Sequence, residues 1–310
     1  MNSNNPNSLL TDADEFLHKS TEEPKWRESY YFNWVDLTNE ISGFSTIGIV
    51  PNENRREFVF LLFLKERNEV YYKEPTLISY HHDINIMLRD NKLSYKLITP
   101  FKIWRIEYNS RRLRLSLSFE ARFPTYSFGK DSSASWHQHF EASGIIKGIL
   151  RIKGSNDIEI SGYGQRDKSW GYRDWYQFNK WYAGHFQFKN WSCTFRKDYF
   201  GDRIDLSGHT SNKDGNIPLS KVEIETINDR DKFQSPLSAT YLVTDIQDNF
   251  YTINTERIKK DSFIRFVRNF QGGYTELFEQ MVKMKNLDTG EIGSGMMEHL
   301  RTVHVSNGQI

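Results

Sequence analysis

Apolar and polar residues alternate without a break along Leu113-Arg114-Leu115-Ser116-Leu117-Ser118-Phe119-Glu120-Ala121-Arg122-Phe123. A period of two sends one set of side chains into a core and the other into water, so this stretch predicts a long antiparallel strand covered on one face. The same signal recurs at Phe58 to Leu64, Ile145 to Ile152, Trp181 to Phe195, Lys221 to Thr226, Ala239 to Thr244, Phe263 to Val267 and Leu277 to Met284. Turn-forming runs separate these segments, among them Pro51-Asn52-Glu53-Asn54, Gly154-Ser155-Asn156-Asp157, Asn212-Lys213-Asp214-Gly215-Asn216 and Asp288-Thr289-Gly290. Helical periodicity is nearly absent; only Asp12 to Lys19 supports two turns, capped by Thr11 or Asp12. Strands at this spacing predict an all-β chain of barrels or sandwiches.

Strand signals are about as dense in the second half as in the first, as two stacked β units would require, with a seam near residues 170 to 180. The expected organisation is a disordered or short helical lead-in over 1–22, an N-terminal β domain over 23–178 and a C-terminal β domain over 179–310. The linker is not rich in Gly or Ser, so the domains are expected to pack together rather than hang on a tether. The 41 basic and 40 acidic residues leave a formal net charge of +1, which argues against nucleic acid or an anionic membrane as a partner. A single cysteine, Cys193, excludes an internal disulfide framework and a thiolate metal site, and fits a reducing, cytoplasmic location. No apolar run reaches the length of a membrane helix, and Met1 to Leu9 lacks the basic-then-apolar order of a signal peptide. Aromatic residues make up 15% of the chain, a share that suits a large apolar cavity or a sandwich core.

The densest chemistry lies in Gly162-Tyr163-Gly164-Gln165-Arg166-Asp167-Lys168-Ser169-Trp170-Gly171-Tyr172-Arg173-Asp174-Trp175, which holds two Arg-Asp pairs and two tryptophans. Taken with Trp26-Arg27-Glu28-Ser29-Tyr30-Tyr31-Phe32-Asn33, Pro51-Asn52 and His139-Phe140-Glu141-Ala142-Ser143-Gly144, the chain resembles the carotenoid 1,2-hydratase and AttH-like superfamily. That resemblance implies two lipocalin-like antiparallel β-barrel or sandwich units packed side by side, with a ligand cavity near their contact. It also implies apolar substrates and reactions such as hydration of polyene ends, cyclisation or pericyclic rearrangement. Fold alone does not fix the reaction, so the residues themselves must carry the chemistry.

Along Trp136 to Ala142 a strand period places His137, His139 and Glu141 on one face and Trp136, Gln138, Phe140 and Ala142 on the other. Facing a cavity, Glu141 would serve as a general acid with His139 orienting or relaying the proton; facing water, the three would be an ordinary polar strip. Asp167 is the second candidate acid, although an arginine next to each Asp of the motif favours a mutual ionic clamp over proton donation. Arg166 and Arg173 would anchor a polar end of a substrate, while Trp170, Trp175, Trp181 and Tyr182 would line the cavity or pack the domain seam. His185 is a further pocket candidate, and Glu28 is expected to be buried against an arginine of the motif. Two imidazoles on one strand face suggest a metal, yet no third ligand is identifiable.

No dinucleotide fingerprint, phosphate loop, nucleophile elbow or zincin helix is present, and no cofactor or metal is expected. The leading expectation is a cofactor-independent lyase or isomerase that hydrates, cyclises or isomerises an apolar terpenoid or polyketide-like molecule in an aromatic cavity between the two units. The alternative is a non-catalytic carrier of a hydrophobic ligand, which uses the same strands and aromatics without a titrating carboxyl. A sugar-processing protein would need a carboxyl pair in an open groove, and none is identifiable from the sequence.

Overall fold

The computed structural model describes residues 10–81, 83–133 and 136–305; Met1 to Leu9, read above as a disordered lead-in, lie outside the described residues. The chain divides into two compact units, Met1–Arg173 and Asp174–Ile310, so the division falls inside the second Arg-Asp pair of the motif. As the alternation predicted, the architecture is all-β with very little helix.

The first unit contains β1 (Trp26–Asp36), β2 (Ile41–Val50), β3 (Arg55–Phe63), β4 (Asn68–Lys73), β5 (Leu93–Thr99), β6 (Ile103–Asn109), β7 (Leu113–Ala121), β8 (Tyr126–Ser133), β9 (Trp136–Ile152) and β10 (Ile158–Tyr172). They form one antiparallel sheet in the order β4-β3-β2-β1-β10-β9-β7-β6-β5, with β8 paired to the free stretch of β9, and the sheet curls into a half-barrel. Its inner face is a packed aromatic core. Phe32 of β1 meets Tyr95 and Phe119 edge-on at 5.1 and 5.7 Å, and Phe60 stacks on Tyr108 at 4.0 Å. Offset and edge-to-face arrangements of this kind add to the stabilisation that burial alone supplies.

The second unit contains β11 (Lys180–Gln187), β12 (Trp191–Phe200), β13 (Arg203–Asn212), β14 (Gly215–Asn228), β15 (Pro236–Asp245), β16 (Phe250–Arg257), β17 (Phe263–Phe270), β18 (Gly273–Asn286) and β19 (Ile292–His304). The order is β16-β15-β14-β13-β12-β11-β19-β18-β17, and an extra pairing of β16 with β18 closes eight strands into a barrel. Trp181 to Phe195, which reads as one alternating segment, is two strands joined by a turn around Lys189 and Asn190. The inward set is even-numbered in β11 (Tyr182, Phe186) and odd-numbered in β12 (Cys193, Phe195), so the phase inverts at the turn, and that inversion marks the break.

In β2, Gly43 lies opposite Trp34 of β1. A Cβ there would come within 2.7 Å of the Trp34 indole and 2.3 Å of the Leu61 carbonyl oxygen. The missing side chain is what admits the largest ring of the core. Gly43→Ala is expected to lower stability by about 1–3 kcal/mol through overpacking, read as an earlier midpoint in urea denaturation; an unchanged midpoint would show that the indole has room to move.

Candidate active site

The motif from Gly162 onward is the central strand β10, with β1 on one side and β9 on the other. Direct cross-strand partners share a face. Arg166 therefore sits with Phe32 and Ala142, Lys168 with Tyr30 and Phe140, and Trp170 with Glu28 and Gln138, all on the inner face of the half-barrel. Asp167 sits with Tyr31 and Glu141, and Ser169 with Ser29 and His139, on the opposite face. The expected clamp between Arg166 and Asp167 is thus not what forms, because sequence neighbours in a strand point to opposite sides.

The inner-face cations are paired with acids from the N-terminal segment and β1. A single 3-10 turn, Asp12–Glu15, is closed by a capping box between Thr11 and Asp14, in place of the two turns expected over Asp12 to Lys19. It delivers Glu15, fully buried, to Arg166 Nη1 at 2.5 Å and to the Phe101 backbone N–H at 2.7 Å. Glu28 is buried against Lys168 of the motif, where an arginine was expected. It also accepts the His18 backbone N–H at 2.7 Å, and the His18 ring stacks on Trp170 at 3.6 Å. Burial alone would raise the Glu28 pKa, but Lys168 and His18 hold it below its ordinary value; burial draws Lys168 down despite Glu28. Arg166 lies between the rings of Trp104 and Phe140, 5.4 and 5.0 Å from their centroids. Arg166 and Trp170 are therefore parts of a buried anchor for the N-terminal segment.

The opposite face carries the cluster with catalytic potential. Glu141 and His139 are buried, 3% and 7% exposed, so they are not a solvated polar strip. His139 Nε2 lies 3.1 Å from Glu141 Oε1, although the ring is not aligned for a well-directed hydrogen bond. Gln165 Nε2 donates to Glu141 Oε2 at 2.8 Å, and Ser143 Oγ donates to Gln165 Oε1 at 3.0 Å, which fixes the orientation of the amide. Phe128 stacks on the His139 ring at 4.6 Å and Trp136 meets it edge-on at 4.5 Å. Burial, then the charge of Glu141, raises the Tyr126 hydroxyl pKa. The charge of Asp167 acts on Arg27, whose pKa burial lowers to about 10 and whose guanidinium pairs with Glu57.

Arg173 borders this cluster, and Trp175, Trp181, Tyr182 and His185 belong to the second unit. Arg173 Nη2 donates to Ser169 Oγ at 2.8 Å at the end of the motif. Trp175 packs edge-on against Trp181 at 5.6 Å under the Arg268 guanidinium, and Trp181 Nε1 bonds Glu298. His185 shares the Trp181 face of β11, opposite Thr194 and Met296, whereas Tyr182 points into the barrel and meets the His299 ring edge-on at 4.7 Å. Sequence reasoning missed Gln165, Ser143, Phe128 and Glu15. Gln165 was within reach, since it lies two residues before Asp167 and so shares its face. A groove of about 510 Å³ beside β5 and β6, lined by residues such as Arg89, Lys92, Arg105 and Glu107, contains none of the candidates. Among the described residues no group of three or more His, Cys, Asp or Glu is placed to hold a metal, and no helix is long and apolar enough to cross a membrane.

A curled half-barrel followed by a closed eight-stranded barrel defines a tandem lipocalin-like protein. Residues 11–303 match the profile of a family described as a domain of unknown function (DUF7064), and the chain belongs to that family. No curated protein matches it in sequence. Among solved structures it is similar to a Nitrosomonas europaea protein described as an AttH candidate (NE1406), at 12% identity and TM-score 0.70 over 94% of this chain and 96% of that one. It is similar to CghA with Sch210972, at 10% identity and TM-score 0.65 over 92% and 90% of the two chains. Kievitone hydratase from Nectria haematococca matches at 11% identity and TM-score 0.63 over 94% of each chain. The likeness is one of fold, and it is the fold that the motif resemblance implied.

Lys168→Met alone leaves the Glu28 carboxylate buried with only His18 beside it, and is expected to cost about 3–5 kcal/mol. Adding Glu28→Gln should recover most of that loss in urea denaturation; a double variant as unstable as the summed singles would refute a mutual pair. In the barrel, burial and then the Arg301 charge hold His299 at about 3 against an ordinary 6.5. The unfolded chain therefore binds a proton that the folded chain refuses, so this contribution is intact above about 6.5 and is lost as pH falls toward 3. His299→Gln should flatten the fall in unfolding midpoint between about pH 7 and about pH 4.5; an unchanged slope would assign the acid sensitivity to other groups.

Proposed function

We propose that the chain is a cofactor-independent enzyme of the hydratase, cyclase or isomerase kind, acting on an apolar small molecule by proton transfer from Glu141. The observation that carries this reading is a buried carboxyl held by an oriented amide, next to an imidazole lying between two aromatic rings. The Glu141 carboxyl would protonate a double bond or leaving group, and Gln165 would fix which oxygen faces the substrate. Asp167 lies directly across the ladder from Glu141. Asp167, half-buried on that face and in the field of Arg27, would be the standing carboxylate and Glu141 the proton donor.

Phe128 and Trp136 would stabilise a developing cation through their π faces, worth about 0.5–2 kcal/mol per ring. His139 would then accept the proton lost in an elimination, or orient a water that adds. The names of similar structures, kievitone hydratase among them, agree with such chemistry. A terpenoid or polyketide-like substrate is the class that an acid and aromatic walls fit best.

The test is incubation of the full chain with a panel of polyenes and prenylated phenols, followed by mass spectrometry for a gain of one water or an isomeric product. Glu141→Gln is expected to lower the rate by about a hundredfold or more, with unfolding behaviour unchanged. Undiminished turnover would remove Glu141 from the mechanism. Ligands retained tightly but recovered intact from both proteins would favour the carrier.

A further inference from the structure

In the second unit the ladder between β13 and β14 covers only four residue pairs, His209 to Asn212 against Gly215 to Pro218. Beyond it β13 continues on β12 and β14 continues on β15, leaving the two strands unpaired with each other. Regular backbone pairing between these two neighbouring strands is therefore confined to the hairpin end, and a slot without ladder hydrogen bonds lies beyond it. Lys197, whose side chain points inward from β12, reaches across the slot and donates to the Val222 carbonyl at 2.6 Å.

Phe186, Phe195, Tyr241 and Met297 are fully buried in the barrel core, and the inward-facing Tyr182, Leu206 and Ile224 pack on that core while remaining partly exposed, as do Trp191, Leu219 and Tyr251. Two lysines stand over these apolar walls: Lys180 lies 4.4 Å from the centre of the Tyr199 ring, and Lys197 lies 5.8 Å from it. Neither has a carboxylate within ion-pair distance among the described residues; the nearby Glu223 is engaged by Lys221 at 2.7 Å. Burial, and then the charges of Lys180 and Lys221, lower the Lys197 pKa, while Glu223 opposes them.

We propose that this slot and mouth form a second binding site, separate from the Glu141 cluster, for an amphiphile with a carboxylate head. The head would take up the charge of Lys197 and Lys180 at the slot, and the chain would lie over Tyr182, Leu206 and Ile224. An apolar wall crossed by two cations without counter-ions is complementary to one anionic head on an apolar body, and the mouth of a β-barrel is a recurrent place for such a ligand.

Binding is measured on the full chain by the fluorescence of cis-parinaric acid, with its methyl ester as the neutral control. The acid is expected to bind saturably and about tenfold tighter than the ester, the scale of a hydrogen bond to a charged group. Lys197→Met, which keeps the apolar stem, should remove that difference while leaving ester binding unchanged. Equal affinities for acid and ester, absence of saturable binding, or an acid preference that survives Lys197→Met together with Lys180→Met would overturn the proposal. The acid-ester comparison on unaltered protein stands even if a variant folds poorly. No step requires turnover, so failure here leaves the proposed reaction untouched, and failure of that reaction leaves this site untouched.

Discussion

The first unit depends on one geometric constraint: a strand gives its successive side chains to opposite faces, and β10 is the middle strand of its sheet. Arg166, Lys168 and Trp170 go inward and Gln165, Asp167 and Ser169 go outward, and β1 and β9 extend each set sideways through their register. The inner set is cationic and buried, a costly state unless acids meet it. Glu15 and Glu28 meet it. Because Glu15 comes from outside the sheet, this charge requirement also fixes where the N-terminal segment must lie.

The outer set becomes available for chemistry as a result. Had Arg166 and Asp167 clamped one another, the guanidinium would sit among the acids of that face and favour their ionised forms. Instead the strand keeps Arg166 on the far side of the sheet from Glu141. The amide of Gln165 supplies orientation without charge, and Ser143 holds that amide from behind. A neutral hydrogen-bond donor orients the carboxyl and favours its charged form less than a guanidinium in the same place would.

Much of the fold was legible in the sequence because alternation reports directly on strands: Leu113 to Phe123 reads as β7, and Phe58 to Leu64 as β3. The two-face assignment of His139, Glu141 and Phe140 followed from the same period. What the sequence concealed was long-range. Nothing local marks Glu15 as the partner of a residue 151 positions away, and a short acidic turn near an N-terminus reads as solvated helix. The motif misled for a related reason, since adjacent Arg and Asp suggest a pair only if strand geometry is set aside. Likewise, nothing in the alternation of β13 and β14 shows where their ladder stops, because unpaired strand ends keep the same period as paired ones.

The two units answer the same problem differently. A half-barrel has an open concave side, and here Phe32, Phe60, Trp104, Tyr108 and Phe119 fill it with interlocked rings, leaving a solid core where a lipocalin-like form suggests a cup. The closed barrel is held by hydrogen bonds that run around the ring, and several of its inward-facing side chains, Tyr182, Leu206 and Ile224 among them, remain partly exposed. Shape alone would assign ligand binding to both interiors equally. Side-chain packing separates them: the aromatic half-barrel spends its inner surface on stability, which is why the proposed chemistry is assigned to the opposite face of the same strands, where the buried Glu141 carboxyl is held by a neutral amide.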